Sequence, residues 1–388
     1  MSRSFVANLF VLAFGVVAVA TVIGVVALWP HDRTVERPQS VANVRTHEAE
    51  VMGVRRVQCT TPGATLCLRL TIRLASGPDE GTVTTFGFTG RDVRFSVGDR
   101  IRVYEQQLPE GAQVGGVALD PYQFSDFERK RPLLVLLALF AALVVATARF
   151  KGLRALVGLG ASLVVIVFFV VPAILDGRSP LGVALVGALA VMLVTIPLAH
   201  GIGPKTIAAC LGTTSALLLT LFLADVFVEA AHLSGLASEE AVFLSASVED
   251  VSIRGLLLAG MVIAALGVLD DLTVTQASTV LALRRANPSL GFGELFRHAV
   301  EVGHDHITAT VNTLVLAYTG AALPVLLVFS LADTPFGEAV GFEVVAGEIV
   351  ATLVGSIGLI AAVPVTTALA ALLALRLRPE AVGDVHAH

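Results

Sequence analysis

Residues 255–283 read GLLLAGMVIAALGVLDDLTVTQASTVLAL, and the reading of this stretch decides the fold. Fourteen residues, Leu256 to Leu269, precede an acidic pair, and twelve, Leu272 to Leu283, follow it. A helix of the first fourteen reaches about 21 Å. The hydrocarbon core of a bilayer is about 30 Å thick, so that half does not cross it alone. The full stretch does, which places Asp270 and Asp271 near the middle of a transmembrane helix. A carboxylate at that depth costs about 2.5–3.5 kcal/mol on insertion scales, so two of them demand protonation, a partner or water. At about 100° per residue, Asp270, Asp271, Thr275, Ser278 and Thr279 share one half of the helix surface. That polar face is expected to point into a bundle. The rival reading ends the helix at Asp270 and makes the remainder a cytoplasmic hairpin.

Composition agrees with a membrane setting. Of 388 residues, 55% are hydrophobic and 15% charged, and the mean hydropathy is +0.82. Soluble domains carry about 25% charged residues, so this chain lacks the polar surface to stay dispersed in water. The net charge of −5 leaves no basic footprint, and nucleic acid is excluded as an expected partner.

Working outward from 255–283, further apolar spans are expected at 132–148, 154–175, 180–199, 205–227, 307–331 and 347–375. An N-terminal run from Phe5 to Trp29 is read as a retained anchor rather than a cleaved leader, because it continues past the processing-like Ala18-Val19-Ala20. The fold class is therefore a polytopic α-helical membrane protein of about eight spans. Arg3, Arg149, Lys151, Arg154, Lys205, Arg284, Arg285, Arg297, Arg376 and Arg378 fall on one side if every span crosses, and the positive-inside rule makes that side the cytoplasm. Both termini are then cytoplasmic. Residues 31–131 differ in character: β-branched and alternating runs such as LCLRLTIRL and DRIRVYE are separated by TTPG, SGPDEG and SVGD turns. A small extracytoplasmic β-rich domain is expected there, OB-like in shape. Within it Cys59 and Cys67, in CTTPGATLC, are a candidate hairpin-closing disulfide. The parts are thus an anchor at 1–30, the outer domain at 31–131, a seven-helix core at 132–378 and a cytoplasmic tail at 379–388.

Polar groups concentrate on two neighbouring elements. In GFGELFRHAVEVGHDHITATVNTLVLAY, residues 293–304 read as an amphipathic interfacial helix feeding the next span. On that span Asp305, Thr308, Asn312 and Thr319 line one face, and His306, Thr310 and Thr313 a second. His304 and His306 diverge by about 200° on a regular helix, so they do not ligate one metal ion from it. The other readings of His304-Asp305-His306 are a His–Asp pair in a proton relay and plain solvation at the membrane interface. Glu348 opens the last span above Thr352 and Ser356, while Asp225 and Glu229 sit at the outer end of 205–227.

PYQFSDFERKRPL from Pro121, GVLDDLTVTQAS from Gly267, GHDHITATVNTLVLAYTGAALP from Gly303 and EIVATLVGSIGLIAAVPVTT from Glu348 resemble the YibE/YibF-like family of bacterial membrane proteins. The resemblance covers most of the chain. It implies a plasma-membrane protein with an outer N-terminal domain and a multi-span core, and implies no settled activity. His304 departs from the family's usual basic residue there.

The expected function is a proton-coupled secondary transporter or exporter. Asp270 and Asp271 would carry protons, and Thr275, Gln276, Asp305, His306, Asn312 and Glu348 would complete the polar path. The expected partners are the lipid bilayer, a small solute or ion, and a homo-oligomeric copy. No cofactor and no enzymatic activity are expected, since no Walker loop or GxSxG element is present. The alternatives are an accessory or scaffold protein whose outer domain captures a ligand, and an intramembrane aspartyl enzyme.

Overall fold

In the computed structural model the described residues are 3–31, 46–59, 66–90, 93–106, 113–114, 117–118, 121–248 and 250–376. The tail expected at 379–388, and Arg378, lie outside them. The chain divides into two compact units, residues 36–143 and residues 1–35 with 144–388.

The first unit contains strands β1 (Thr46–Arg56), β2 (Leu66–Leu74), β3 (Val83–Gly90), β4 (Arg100–Glu105), the short pair β5 (Gln113–Val114) and β6 (Val117–Ala118), and β7 (Tyr122–Phe127). Five of them form an antiparallel sheet in the order β3-β2-β1-β4-β7. Strict alternation fixes its register. Leu68, Leu70, Ile72 and Leu74 of β2 face inward and are buried, with Arg69 and Arg73 outward. Leu70 pairs with Phe86 and Ile72 with Val51 or Thr84 on the neighbouring strands. The outermost strands β3 and β7 approach one another, so the sheet curls into a half-barrel around Val51, Leu70, Phe86, Ile101 and Val103. Phe88, Phe95, Phe124 and Phe127 fill one end with edge-to-face and tilted rings at 5.0–5.5 Å. Cys59 and Cys67 are joined in a disulfide.

The second unit is helical: α1 (Arg3–Leu28), α2 (Lys130–Val165, begun in the first unit), a π turn (Ile166–Val170), α3 (Val171–Leu175), α4 (Pro180–His200), α5 (Pro204–Ala230), α6 (Glu239–Ser247), α7 (Ile253–Ala286), α8 (Phe292–Leu331), α9 (Phe336–Ala339) and α10 (Glu343–Ala374). Among the described residues, seven helical stretches are long and apolar enough to cross a membrane. The spans expected at 132–148 and 154–175 fall in one of these, Lys130–Leu175, of 46 residues. That stretch is not straight: Arg149 has φ 49° and ψ −129°. A Cβ at Gly152 would strike the carbonyl of Val144. Residues eight apart in an unbroken helix stand about 12 Å apart along the axis, so the chain turns sharply at Arg149. The amphipathic segment and the following span are one continuous helix, α8: no proline interrupts 292–323, and Pro324 stands inside the helix.

Helix α7 occupies the centre, packed against α4, α5, α8 and α10, and α5 packs along α10. Small residues make these approaches close. A Cβ at Gly212 would collide with the Thr366 hydroxyl, and one at Gly358 with that of Thr220. On α5, Thr206, Thr213 and Thr220 recur every seven residues, all at most 1% exposed.

Candidate functional site

Asp270 and Asp271 are neighbours in sequence and belong to different surroundings. Successive helical residues point about 100° apart, and here the division falls between the pair. Asp270 turns toward α4 and α5, where the side chains of Thr195 and Thr213 act on its carboxyl. Its Oδ1 is shielded from solvent and has no hydrogen-bond partner among the described residues. A desolvated carboxyl oxygen without a donor is unfavourable, and a proton, a water or a cation relieves it.

The carboxyl lies on the wall of a cavity of about 360 Å3, otherwise lined by apolar residues of α2, the π turn, α4 and α7, with Ser162 and Thr195 as hydroxyl exceptions. The π turn helps to shape this wall through Ile166 and Val170, and Val170 sits where a Cβ on Gly187 would go. Ala155 and Ala199 line this chamber and also a wider cavity beyond it, at the helix ends carrying Arg149, Lys205 and Arg285.

Asp271 faces outward. Its side chain is 78% exposed, and its Oδ2 lies 3.9 Å from Nε2 of His306 on α8. The expectation that both aspartates point into the bundle therefore holds for Asp270 and not for Asp271. The polar half of α7 is wider than the buried half, so one edge emerges. Thr275 is half-buried. Gln276 is 2% exposed, and its Nε2 donates to the Ala299 carbonyl of α8 (2.6 Å) and to the Thr367 hydroxyl of α10 (2.8 Å).

The polar face of α8 is not gathered into the site. Asp305, Thr308, Asn312 and Thr319 are all exposed, because α8 buries Leu295, Ala299 and Gly303 at i, i+4 and i+8 and turns the other side out. Glu348, half-buried, lines a separate cavity of about 360 Å3 with Tyr318 and Glu343. Nineteen steps along α10 carry it to Thr367, about 28 Å of helix. It does not join Asp270. Asp225 and Glu229 are ion-paired to Arg254, the former at 3.3 Å.

Thr195 is a lone hydroxyl in an apolar run, while Thr213, Thr273 and Thr367 stand beside other hydroxyls in GTTS, LTVT and PVTT, where the sequence does not say which of them meets a neighbouring helix. Thr213 and Thr273 join α5 to α7 by a buried hydroxyl pair at 2.6 Å. The seven-residue recurrence on α5 was the one available signal for Thr213.

Residues 136–376 match the model of a family described as YibE/F-like protein. No curated protein and no solved structure matches the chain.

Proposed function

The chain belongs to the YibE/F-like family, and for this member we propose a proton-coupled secondary transporter or exporter in which Asp270 carries the proton. The supporting observation is the shielded, unpartnered Asp270 oxygen on the wall of a chamber that adjoins a wider cavity at one end of the helices. A proton-carrying group needs a state in which it is desolvated and a route by which water reaches it. The shielded oxygen supports the first, and the sharing of Ala155 and Ala199 between the chamber and the wider cavity supports the second. In this reading the turn at Arg149 separates two crossings within Lys130–Leu175, giving eight in all, and the basic helix ends face the cytoplasm of a bacterial plasma membrane. Residues 31–131 then stand outside.

The test uses purified chain in proteoliposomes that contain a pH-reporting dye, challenged with gradients from a panel of small anions, cations and amino acids. Proton movement linked to one solute is expected, and Asp270→Asn should remove it. Failure of every solute to move protons, or an Asp270→Asn protein that behaves as wild type, would sink the reading.

The exposed stripe Asp305, Thr308, Asn312 favours a second reading, an assembly in which that face meets another protein surface. Bare polar groups facing lipid are costly, and interhelical hydrogen bonds are their usual remedy. The two readings are compatible, since an oligomer can transport.

A further inference from the structure

The wider cavity beyond the Asp270 chamber measures about 890 Å3, and its lining is unlike that of any other cavity described above. Arg149, Lys151 and Arg154 enter it from the turn in α2, Lys205 from the first turn of α5, and Arg285 from the last turn of α7. No aspartate or glutamate lines it. These cations act on one another: Lys151 and Arg285 both bear on Lys205. Among the described residues none of the five is ion-paired to a carboxylate, although Arg102, Arg129, Lys130, Arg178 and Arg254 all are. Lys205 Nζ instead meets His200 Nδ1 at 3.1 Å.

Convergence of like charge around a cavity is unfavourable unless an anion completes it. The positive-inside rule requires basic residues on one side of the membrane, and charges spread over solvated loops satisfy it equally well. It does not account for their gathering here. Two further features point to the ligand's shape. The Arg154 guanidinium stacks 4.7 Å over the Phe150 ring, which holds its planar fork in place. Helix α5 begins at the same cavity, with Gly203 as an extended N-cap that supplies no side-chain oxygen; Pro204 has no N–H, so the uncapped first-turn donors beside the space are the amides of Lys205 and Thr206, at the positive end of the helix dipole.

We propose that this cavity binds a phosphate group. Guanidinium forks, an ammonium and helix N–H groups together suit an ion with several acceptor oxygens better than they suit chloride. The phosphate can belong to a free or small phosphorylated solute, or to the headgroup of an anionic phospholipid, since the cavity lies at the helix ends. The inference does not depend on coupling: a chain that binds phosphate and moves nothing satisfies it while failing the flux assay.

The experiment has two arms on the full chain. In nanodiscs of phosphatidylcholine, inorganic phosphate is titrated by calorimetry at constant ionic strength against chloride. In parallel, lipids retained after extraction from mixed phosphatidylglycerol and phosphatidylcholine vesicles are identified by native mass spectrometry. Saturable phosphate binding assigns the free solute; selective retention of phosphatidylglycerol without it assigns the headgroup. Arg154→Gln/Lys205→Gln/Arg285→Gln should abolish whichever is seen. Because that triple change also weakens the insertion signal, Arg154→Lys/Arg285→Lys keeps the charge and removes only the forks, with an expected loss of about tenfold in affinity. Wild-type protein that shows neither binding, chloride that competes as well as phosphate, or both variants binding as wild type would each overturn the proposal.

Discussion

One residue of difference separates Asp270 from Asp271, and the surroundings differ completely. The first has an oxygen shielded and unpartnered beside Thr195 and Thr213; the second is exposed, with a histidine at ion-pair range across to α8. The single substitutions should therefore be unequal. Asp270→Asn is expected to abolish proton movement, whereas Asp271→Asn should leave it within about fivefold, about 1 kcal/mol, because Asp271 points away from the Asp270 chamber and does not line it. Equal losses in the liposome assay would show that the two carboxyls act as one unit. A different pair of acids sets the response to pH where the first unit ends. The Arg129 side chain and the Phe127 amide hold the Asp126 carboxyl below the usual carboxylate range, and the Lys130 amide does the same for Glu128. A carboxyl whose folded value is depressed stabilises the folded form above its unfolded value. That contribution is lost as pH falls through the folded value. Hydrogen-exchange protection of β7 should hold from pH 7 to about 5 and decline below about 4, the ordinary carboxyl range. Asp126→Asn/Glu128→Gln should flatten that decline, and an unchanged profile would remove these groups as its cause.

At the scale of elements, the joint among α7, α8 and α10 hangs on Gln276. Its amide reaches two other helices at once, and Gly303 leaves the room it occupies, with Val363 alongside. Replacing it by Leu removes both donated bonds and leaves the Thr367 hydroxyl without that donor in a buried place. The expected cost is about 1–3 kcal/mol, read as a lower unfolding temperature in detergent; an unchanged temperature would mean that the contact is made equally well in the unfolded membrane state. Element existence was legible in the sequence because length and apolarity set it, as for α4, α5 and α10. The inward face of β2 was legible because a period of two leaves no other choice. The role of Gln276 was only half legible. Periodicity gives the angle between Gln276 and Asp270 and does not say which neighbour each direction meets. The same gap hid the outward turn of Asp271 and left Thr195 without any signal, while Thr367 stood in a quoted motif with nothing to mark it from Thr366. The turn at Arg149 was readable as a basic interruption between apolar runs, and its sharpness was not, since a non-glycine residue at positive φ has no sequence mark.

At the scale of the molecule, the polar load of α8 sets a question that the bundle does not answer internally. Phe292–Leu331 buries only Leu295, Ala299 and Gly303, and its exposed face carries Asp305, Thr308, Asn312, Thr313 and Thr319. Thr308 and Thr313 return their hydroxyls to the carbonyls of His304 and Ala309, which hides them from lipid at no cost in partners. Asn312 has no such refuge, since an amide carries two donors and an acceptor and cannot satisfy them on its own helix turn. A second copy of α8 offers the matching groups at the same depth, and interhelical side-chain bonds in membranes are worth about 0.6–2 kcal/mol. The dimer fraction of the reconstituted chain, followed by energy transfer between labelled copies at rising protein-to-lipid ratio, should therefore fall about threefold or more in Asn312→Leu. Val315→Leu, an exposed apolar change one turn away, should leave it unchanged. Monomeric wild-type protein, or an Asn312→Leu protein that associates as well as wild type, would assign that face to lipid or to a different partner. If the dimer forms and flux is lost with it, the exposed stripe belongs to the same machinery as Asp270; if flux persists in the monomer, one chain holds the whole path.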